Sequence, residues 1–340
     1  MRFFITGHTG FKGAWLTKIL LSENHEVFGY SLPAEKGSIF DLLDLRSRVN
    51  ANFEEDVRNA AVLSKCVSEV EPDVVIHLAA QPLVIRGYEE PYETFATNVL
   101  GTMNLLNAAS MVHSSPTVLI VTTDKVYRPT SSSAHLESDA LGGLDPYSAS
   151  KAMADLLAQS WAEVFSSMRI GVARAGNVIG PFDHSENRLL PDITRSLRLG
   201  VPLDVRYPNA VRPWQHVLDC LNGYLSYVWK LRQDSEAPRV LNFGPDPKEM
   251  RQVQSVLDVI SGQNSNFSYR ISAGEYEENE MLTLSNALAK ASLGWEPCIT
   301  FEDAVTLSIK SHSNPREIEA EIDRQIFSHS QYLGHSYVRE

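Results

Sequence analysis

Three glycines, each three residues from the next, stand between the first strand and the first helix of this chain. They restrict its fold more than any other feature. Arg2-Phe3-Phe4-Ile5-Thr6 reads as a buried strand. Gly7-His8-Thr9-Gly10-Phe11-Lys12-Gly13 follows, and Ala14-Trp15-Leu16-Thr17-Lys18-Ile19-Leu20-Leu21 continues as an amphipathic helix. Glycines permit a tight turn and close backbone approach, and the first N–H groups of a helix have no partner within it. Strand, glycine turn and immediate helix therefore make a seat for a pyrophosphate, built from Gly7, Thr9, Gly10, Phe11, Lys12 and Gly13. The spacing is G-x-x-G-x-x-G, one residue longer than the G-x-G-x-x-G dinucleotide fingerprint. A βα turn with no ligand is the competing reading.

The rest of the first half repeats strand and helix. Glu26 to Leu32 is a second strand, at whose end dinucleotide enzymes usually carry an acid for the adenosine ribose. Tyr30 and Ser31 take that place, and no arginine stands there for a 2′-phosphate, so NAD is expected rather than NADP. Residues 33–55 read as polar and irregular, with a helical patch near Phe40 to Leu45. Asp56 and Val57 then sit at an apparent strand end, where Asp56 either accepts from an adenine amino group or stands in a solvated loop. Pro72 to Gln81 is a buried parallel strand running into small residues. Leu78, Ala79 and Ala80 there let a cofactor lie close, while His77 reads as a packed strand histidine. A long helix from Pro91 to Val112 carries Asn98, counted to the same cofactor surface. The strand Val118 to Val121 delivers Thr122 to that edge. A helix from Pro146 to Phe165 and a strand from Arg169 to Arg174 complete the alternation. This is the pattern of an α/β fold with a Rossmann-type doubly wound parallel sheet.

Beyond Gly176 the elements are shorter: helices at Leu189 to Leu199, Val217 to Leu231, Arg251 to Ile260 and Thr300 to Ser311, with strands at Leu203 to Val205 and Val240 to Phe243. They read as a smaller α/β substrate-binding lobe. The expected division is 1–176 for the NAD-binding domain, with later segments free to add strands to its sheet. Residues 177–311 form the lobe, and 312–340 a polar C-terminal tail with one helix at Pro315 to Ile326.

Composition removes several alternatives. A formal net charge of -12 over 340 residues argues against nucleic acid as the main partner. Cys66, Cys220 and Cys298 are far apart and odd in number, which suits a reducing cytoplasm and is neither a disulfide framework nor a zinc spacing. His184, His216, His312, His329 and His335 lack metal-ligand spacing, so no metal is expected and surface positions are their default. No signal-peptide pattern opens the chain, and no apolar run approaches the roughly 18 residues that span a bilayer.

Chemistry concentrates between Thr122 and Lys151. Tyr147 and Lys151 stand four apart, on one face of a helix. An ammonium beside a phenol favours the phenolate and lowers its pKa towards the working range. The pair can take a proton from an alcohol, though a solvated helix face also carries such pairs.

The glycine turn, a Thr at a strand end and Tyr-x-x-x-Lys, in this order, resemble the extended short-chain dehydrogenase/reductase superfamily. Within it, the strings Thr6–Gly13, Gly29–Leu32, His77–Val84, Thr122–Tyr127, Leu141–Gly143, Asp145–Ser148, Ala173–Gly180, Arg188–Asp192 and Arg212–Val217 look like CDP-glucose 4,6-dehydratases. The resemblance covers residue 1 to about 310. It implies bound NAD, a nucleoside-diphosphate hexose as substrate (CDP-glucose) and a homodimer formed through the helices at Pro91 to Val112 and Pro146 to Phe165. It further implies Thr123, Tyr147 and Lys151 for oxidation at C4, Asp124 as the acid and Lys125 as base or orienting group for loss of water. Gln81, Asn177, Arg188, Leu189 and Arg212 would hold the substrate. Arg128-Pro129-Thr130, Arg86-Gly87-Tyr88 and Pro181-Phe182-Asp183-His184 depart from the family pattern in loops that would line the sugar and nucleotide pockets. A 4-epimerase or reductase of the same fold, which needs no acid and base at 124 and 125, stays open, as does a non-catalytic nucleotide-sugar binder.

Overall fold

The first strand lies inside the sheet it begins. A computed structural model describes residues 1–129, 134–165, 168–272, 281–310, 314–334 and 336–337. In it β1 (Arg2–Thr6) pairs in parallel with β2 (Glu26–Ser31) on one side. On the other it pairs with β4 (Val74–His77), Thr6 opposite His77. Beyond β2 lies β3 (Ala51–Glu54); beyond β4 lie β5 (Thr117–Thr123), β6 (Arg169–Ala175) and a seventh strand, Val240–Phe243. Every pairing in this sheet is parallel. All residues of β4 and β5 are buried, as continuous apolar runs require when helices cover both faces. One face is covered by the first helix (Phe11–Ser22) and the Val217–Gln233 helix. The other is covered by Ala60–Val70, Gly101–Ser110 and part of Pro146–Val164. Strand order reverses between β1 and β4, so the glycine turn and the Leu78–Gln81 loop leave the sheet side by side, where open α/β sheets bind ligands.

Several expectations change. Residues 33–55 are not irregular throughout: Ala51–Glu54 forms β3, with Phe53 opposite Tyr30. Every residue of that strand is half-buried, and an edge strand of this kind leaves no period-two pattern to read. The long helix is broken in register, because Pro91–Phe95 runs through a π turn, Ala96–Leu100, into Gly101–Ser110. That turn carries the buried Asn98, and such bulges recur at functional sites. Val240–Phe243 is one of the later segments free to add to the first sheet, and it lies there, Asn242 opposite Arg174.

The C-terminal helix runs Pro315–Leu333, past Ile326. Its Ile318, Ile322 and Ile326 pack into the same apolar layer as the first helix, and Glu319 pairs with Lys18 at 2.8 Å and with Arg48. Three isoleucines four apart among charged residues form a stripe too narrow to dominate the composition. Ile322 is fully buried, and Ile322→Ala is expected to cost about 2–5 kcal/mol. Urea unfolding at constant slope measures this directly.

Residues after Ala175 also form three strand pairs outside the main sheet: Val178–Ile179 with Gln215–His216, Val211–Arg212 with Arg251–Gln252, and Leu203–Val205 with Tyr269–Ile271. These surround a separate core that includes Ile193, Trp214, Leu257 and Val305. Thr130, Ser311, His312 and His335 lie outside the described residues. No helix among the described residues is long and apolar enough to cross a membrane.

Candidate active site

The glycine turn is tight on two sides and open on the third. Gly7 has φ +74°, and a Cβ there would lie 2.6 Å from the Ala79 nitrogen. A Cβ on Gly13 would lie 2.1 Å from the Gly7 oxygen. At Gly10 a Cβ would meet only the Gly7 oxygen, at 3.4 Å. Gly10 caps the first helix, no side chain accepts from its N–H groups, and its first turn holds no acid. Open space over unsatisfied donors fits a diphosphate. Gly13→Ala is therefore expected to abolish nicotinamide retention and to cost about 1–3 kcal/mol by overpacking; cofactor content after purification and a thermal melt check both.

Other residues expected at the cofactor surface divide by what they touch. Thr9 Oγ1 pairs with Ser31 Oγ at 2.8 Å and donates to the Leu32 carbonyl at 3.1 Å. Tyr30 is fully buried, and its hydroxyl donates to the Asp56 carbonyl at 3.0 Å, tying β2 to that turn. The Asp56 carboxylate is gripped by Arg58, which holds it below the usual carboxylate range against the cost of burial. Val57 is buried against Gly101. Asn98 accepts from the Gln81 nitrogen at 2.8 Å and donates to Ser150 Oγ at 2.8 Å. Gln81 uses its amide on Leu83 and Thr94, shaping the loop. His77 sits between Thr6 and Thr102, pushed down to about 3 by burial and then by Lys151.

β5 ends at Thr123, whose side chain caps a short 3₁₀ turn, Asp124–Val126, and donates to Asp124 Oδ1 at 2.8 Å. Asp124 is buried, and burial pushes its carboxyl above the ordinary range while Lys125, Thr123 and Arg212 pull it down. Its Oδ2 has no hydrogen-bond partner among the described residues. Lys125 is half-buried. Tyr147 and Lys151 occupy the start of the Pro146–Val164 helix, where Pro146 is the first residue and Asp145 accepts from the Ser148 nitrogen at 2.9 Å.

Burial pushes the Tyr147 phenol up to about 12, with a Thr123 hydrogen bond and the Arg188 guanidinium drawing it down. Lys151 is pushed down to about 7, by burial and then by Lys12, with Asp155 opposing. Its Nζ donates to the Val121 carbonyl at 2.7 Å. The groups drawing Tyr147 down are thus Thr123 and Arg188, and the ammonium four residues on is satisfied by a strand carbonyl instead.

Lys12 reaches further than its place in the glycine turn indicates. Its Nζ lies 3.3 Å from the Tyr224 hydroxyl and over that ring, within electrostatic range of Arg188, Asp124 and Lys151. Arg188 precedes the Leu189–Leu199 helix, lies 3.8 Å from Asp183, and acts on Tyr147 and Lys12. Leu189 packs against the lobe core. Arg212 is buried with Nη1 on the Val211 carbonyl at 2.7 Å, beside Asp124. The Asn177 carbonyl accepts from the Gln215 nitrogen at 2.9 Å. Two lysines, two arginines, a buried acid and a phenol thus lie within electrostatic reach of one another. Such a set can hold a diphosphate and move protons at an adjoining sugar. Sequence reasoning missed Asp155, although 147, 151 and 155 share one helical stripe.

Two histidines expected at the surface, His216 and His329, are buried. The fold gathers His329 with Asp219 and Cys298, three groups able in principle to hold a metal. Asp219 already accepts from His329 at 2.9 Å and from the Cys298 and Ile299 nitrogens, and burial with Asp219 keeps the Cys298 thiol strongly protonated. These contacts lock the C-terminal helix to the body.

Comparison with known proteins places the fold and the family. The model of the family described as GDP-mannose 4,6 dehydratase matches residues 4–307. The CDP-glucose 4,6-dehydratase of Salmonella typhimurium is 35% identical over 324 residues, covering 92% of this chain and 90% of that protein. The dTDP-glucose 4,6-dehydratase of the same organism is 25% identical over 338 residues, covering 91% and 92%. Among solved structures, dTDP-glucose 4,6-dehydratase from Streptomyces venezuelae, with NAD bound, superposes with a TM-score of 0.78 at 26% identity, covering 91% and 96%. The fold is shared with UDP-glucuronic acid 4-epimerase from Bacillus cereus, at a TM-score of 0.79 and 20% identity, over 94% and 100%. By family model and by relatives matched over most of both chains, this chain belongs to the GDP-mannose 4,6 dehydratase family of enzymes, within the extended short-chain dehydrogenase/reductase superfamily.

Proposed function

We propose that this enzyme is an NAD-dependent nucleotide-sugar 4,6-dehydratase whose substrate is CDP-glucose, and that it works in the cytoplasm as a homodimer. NAD would be seated by residues of the 1–176 segment and would supply the hydride acceptor and donor that C4 oxidation and C6 reduction need. Tyr147 takes the C4 hydroxyl proton, Thr123 holds the same hydroxyl, and Lys151 stands behind them. The 4-keto group makes the C5 proton acidic. Lys125 removes it, while Asp124, whose carboxyl burial pushes above the ordinary range, delivers a proton to the departing C6 hydroxyl. Arg212 and Arg188, with Asn177 and Leu189 of the lobe, hold the nucleoside diphosphate; Arg's fork suits phosphate.

One observation carries the choice of reaction: Asp124 is buried, raised above the ordinary carboxylate range and, among the described residues, without a partner on one oxygen, beside the phenol. Oxidation at C4 alone, as in an epimerase, has no use for a second acid there. CDP as the base rests on the relative at 35% identity. Incubation with CDP-, dTDP-, GDP- and UDP-hexoses, read by mass spectrometry, tests both. Loss of one water from CDP-glucose in preference to the others is expected. Epimerisation without mass change overturns the reaction, and preference for another nucleotide overturns the substrate.

The dimer reading rests on exposed apolar side chains along two helical segments: Tyr92, Leu100 and Met103, with Met153 and Leu156. Exposed apolar side chains gathered on two helical segments suit association with a second copy. Sedimentation at micromolar concentration is expected to give twice the chain mass, and Leu156→Asp to give the monomer.

A further inference from the structure

Behind the cleft lies a buried polar unit that no step above uses. Arg174, on β6, is 1% exposed and grips Asp155 with two parallel hydrogen bonds, Nε to Oδ2 and Nη2 to Oδ1, both 2.8 Å. Its remaining nitrogen, Nη1, donates to the Tyr127 hydroxyl at 2.8 Å and to the Glu137 carbonyl at 3.0 Å. The Tyr127 hydroxyl in turn donates to Asn242 Oδ1 at 2.7 Å. Asn242 lies on the seventh strand, opposite Arg174, and its own amide donates to the His135 carbonyl at 3.0 Å. The Tyr127 ring is stacked on His135, with centroids 4.6 Å apart and planes 4° from parallel. Asp155 also accepts from Thr122 Oγ1 at 3.0 Å and from Gln159 at 2.6 Å.

The members of this unit bracket the reactive residues. Tyr127 is the second residue after Lys125, and Thr122 directly precedes Thr123. Asp155 is one turn beyond Lys151 on the helix that carries Tyr147. One guanidinium thus joins the turn bearing Asp124 and Lys125 to the helix bearing Tyr147 and Lys151. A buried ion pair is weak evidence of stabilisation, because desolvating two charges offsets their attraction, and an apolar pair of equal volume does as well. What it adds is a defined geometry, since a planar fork accepts a carboxylate in one orientation. We propose that Arg174, Asp155, Tyr127 and Asn242 are positioning residues that set the Asp124–Lys125 turn against the Tyr147–Lys151 helix, so that elimination and oxidation act on one sugar in one pose.

This rests on the dehydratase reading, and its test keeps the two apart. Tyr127→Phe removes only the hydroxyl that links the turn to Arg174 and Asn242. With the turn loosened, dehydration of CDP-glucose should fall about ten- to a hundredfold in kcat, as ångström-scale misplacement costs, with KM little changed. The near-ultraviolet absorbance of reduced nicotinamide should appear on mixing and persist, because C4 oxidation still proceeds while loss of water lags. Arg174→Lys, which retains the charge but not the fork, should reproduce that signature. Ile322→Ala serves as the control for lost stability alone: its melting temperature falls without persistent reduced nicotinamide. Tyr127→Phe with unchanged kcat and no persistent absorbance, or with the control's behaviour, overturns the positioning role. A wild-type protein that removes water from none of the nucleotide sugars overturns the dehydratase reading itself, and the positioning role with it.

Discussion

Asp124→Asn should halt loss of water while leaving oxidation at C4 in place. An amide of the same shape cannot deliver a proton, so kcat for dehydration is expected to fall by about 10²–10⁴, the usual worth of a positioned acid. Reduced nicotinamide should then accumulate when CDP-glucose is added, since Thr123, Tyr147 and Lys151 are untouched. Stability should move the other way. The folded carboxyl titrates above its ordinary value of 3.8 because it is buried. The folded state therefore holds this proton more tightly than the unfolded chain does. Its contribution to stability falls as pH rises from the unfolded value through the higher folded one. Asparagine does not titrate, so the variant should be as stable as the wild type or more so at neutral pH, with a flatter pH profile above about pH 4. A melting series across pH and a stopped-flow absorbance trace measure the two effects. An Asp124→Asn enzyme that still dehydrates at the wild-type rate would remove Asp124 from the chemistry.

Tyr147→Phe should remove both halves of the reaction together. No other phenol lies at the start of that helix, and Thr123 can hold the sugar hydroxyl without accepting its proton. Turnover is expected to drop by about 10²–10⁴, with KM little changed, since an interaction realised in the transition state is lost from kcat and kcat/KM alike. No absorbance of reduced nicotinamide should appear on adding substrate, which separates this variant from Asp124→Asn. A Tyr147→Phe protein that still reduces its nicotinamide would place the proton acceptor elsewhere, with the cleft lysines Lys12 and Lys151 the first to examine.

The glycine turn, the strand and helix alternation and the positions of Thr123, Tyr147 and Lys151 were legible in the amino-acid order, because each depends on neighbours within one or two turns of chain. β3 was not, since an edge strand with every residue half-buried shows no alternation. The buried face of the C-terminal helix was equally hidden, because three isoleucines among charges look like a solvated helix until the first helix is set against them. The bonds of the Gln81 amide to Leu83 and Thr94 were equally out of reach, because Thr94 comes to it only across the loop.

What the sequence by itself determined is the inventory: which groups can bind a diphosphate, accept a proton or donate one, and on which local elements they ride. What only the tertiary structure decided is their state. Asp124 is raised, Lys151 is lowered to about 7, and Lys12 lies within electrostatic range of both. Arg174 and Asp155 meet across a strand and a helix 19 residues apart. The physical reason is that desolvation and charge proximity depend on distance through space. Packing sets that distance, and no spacing along the chain encodes it.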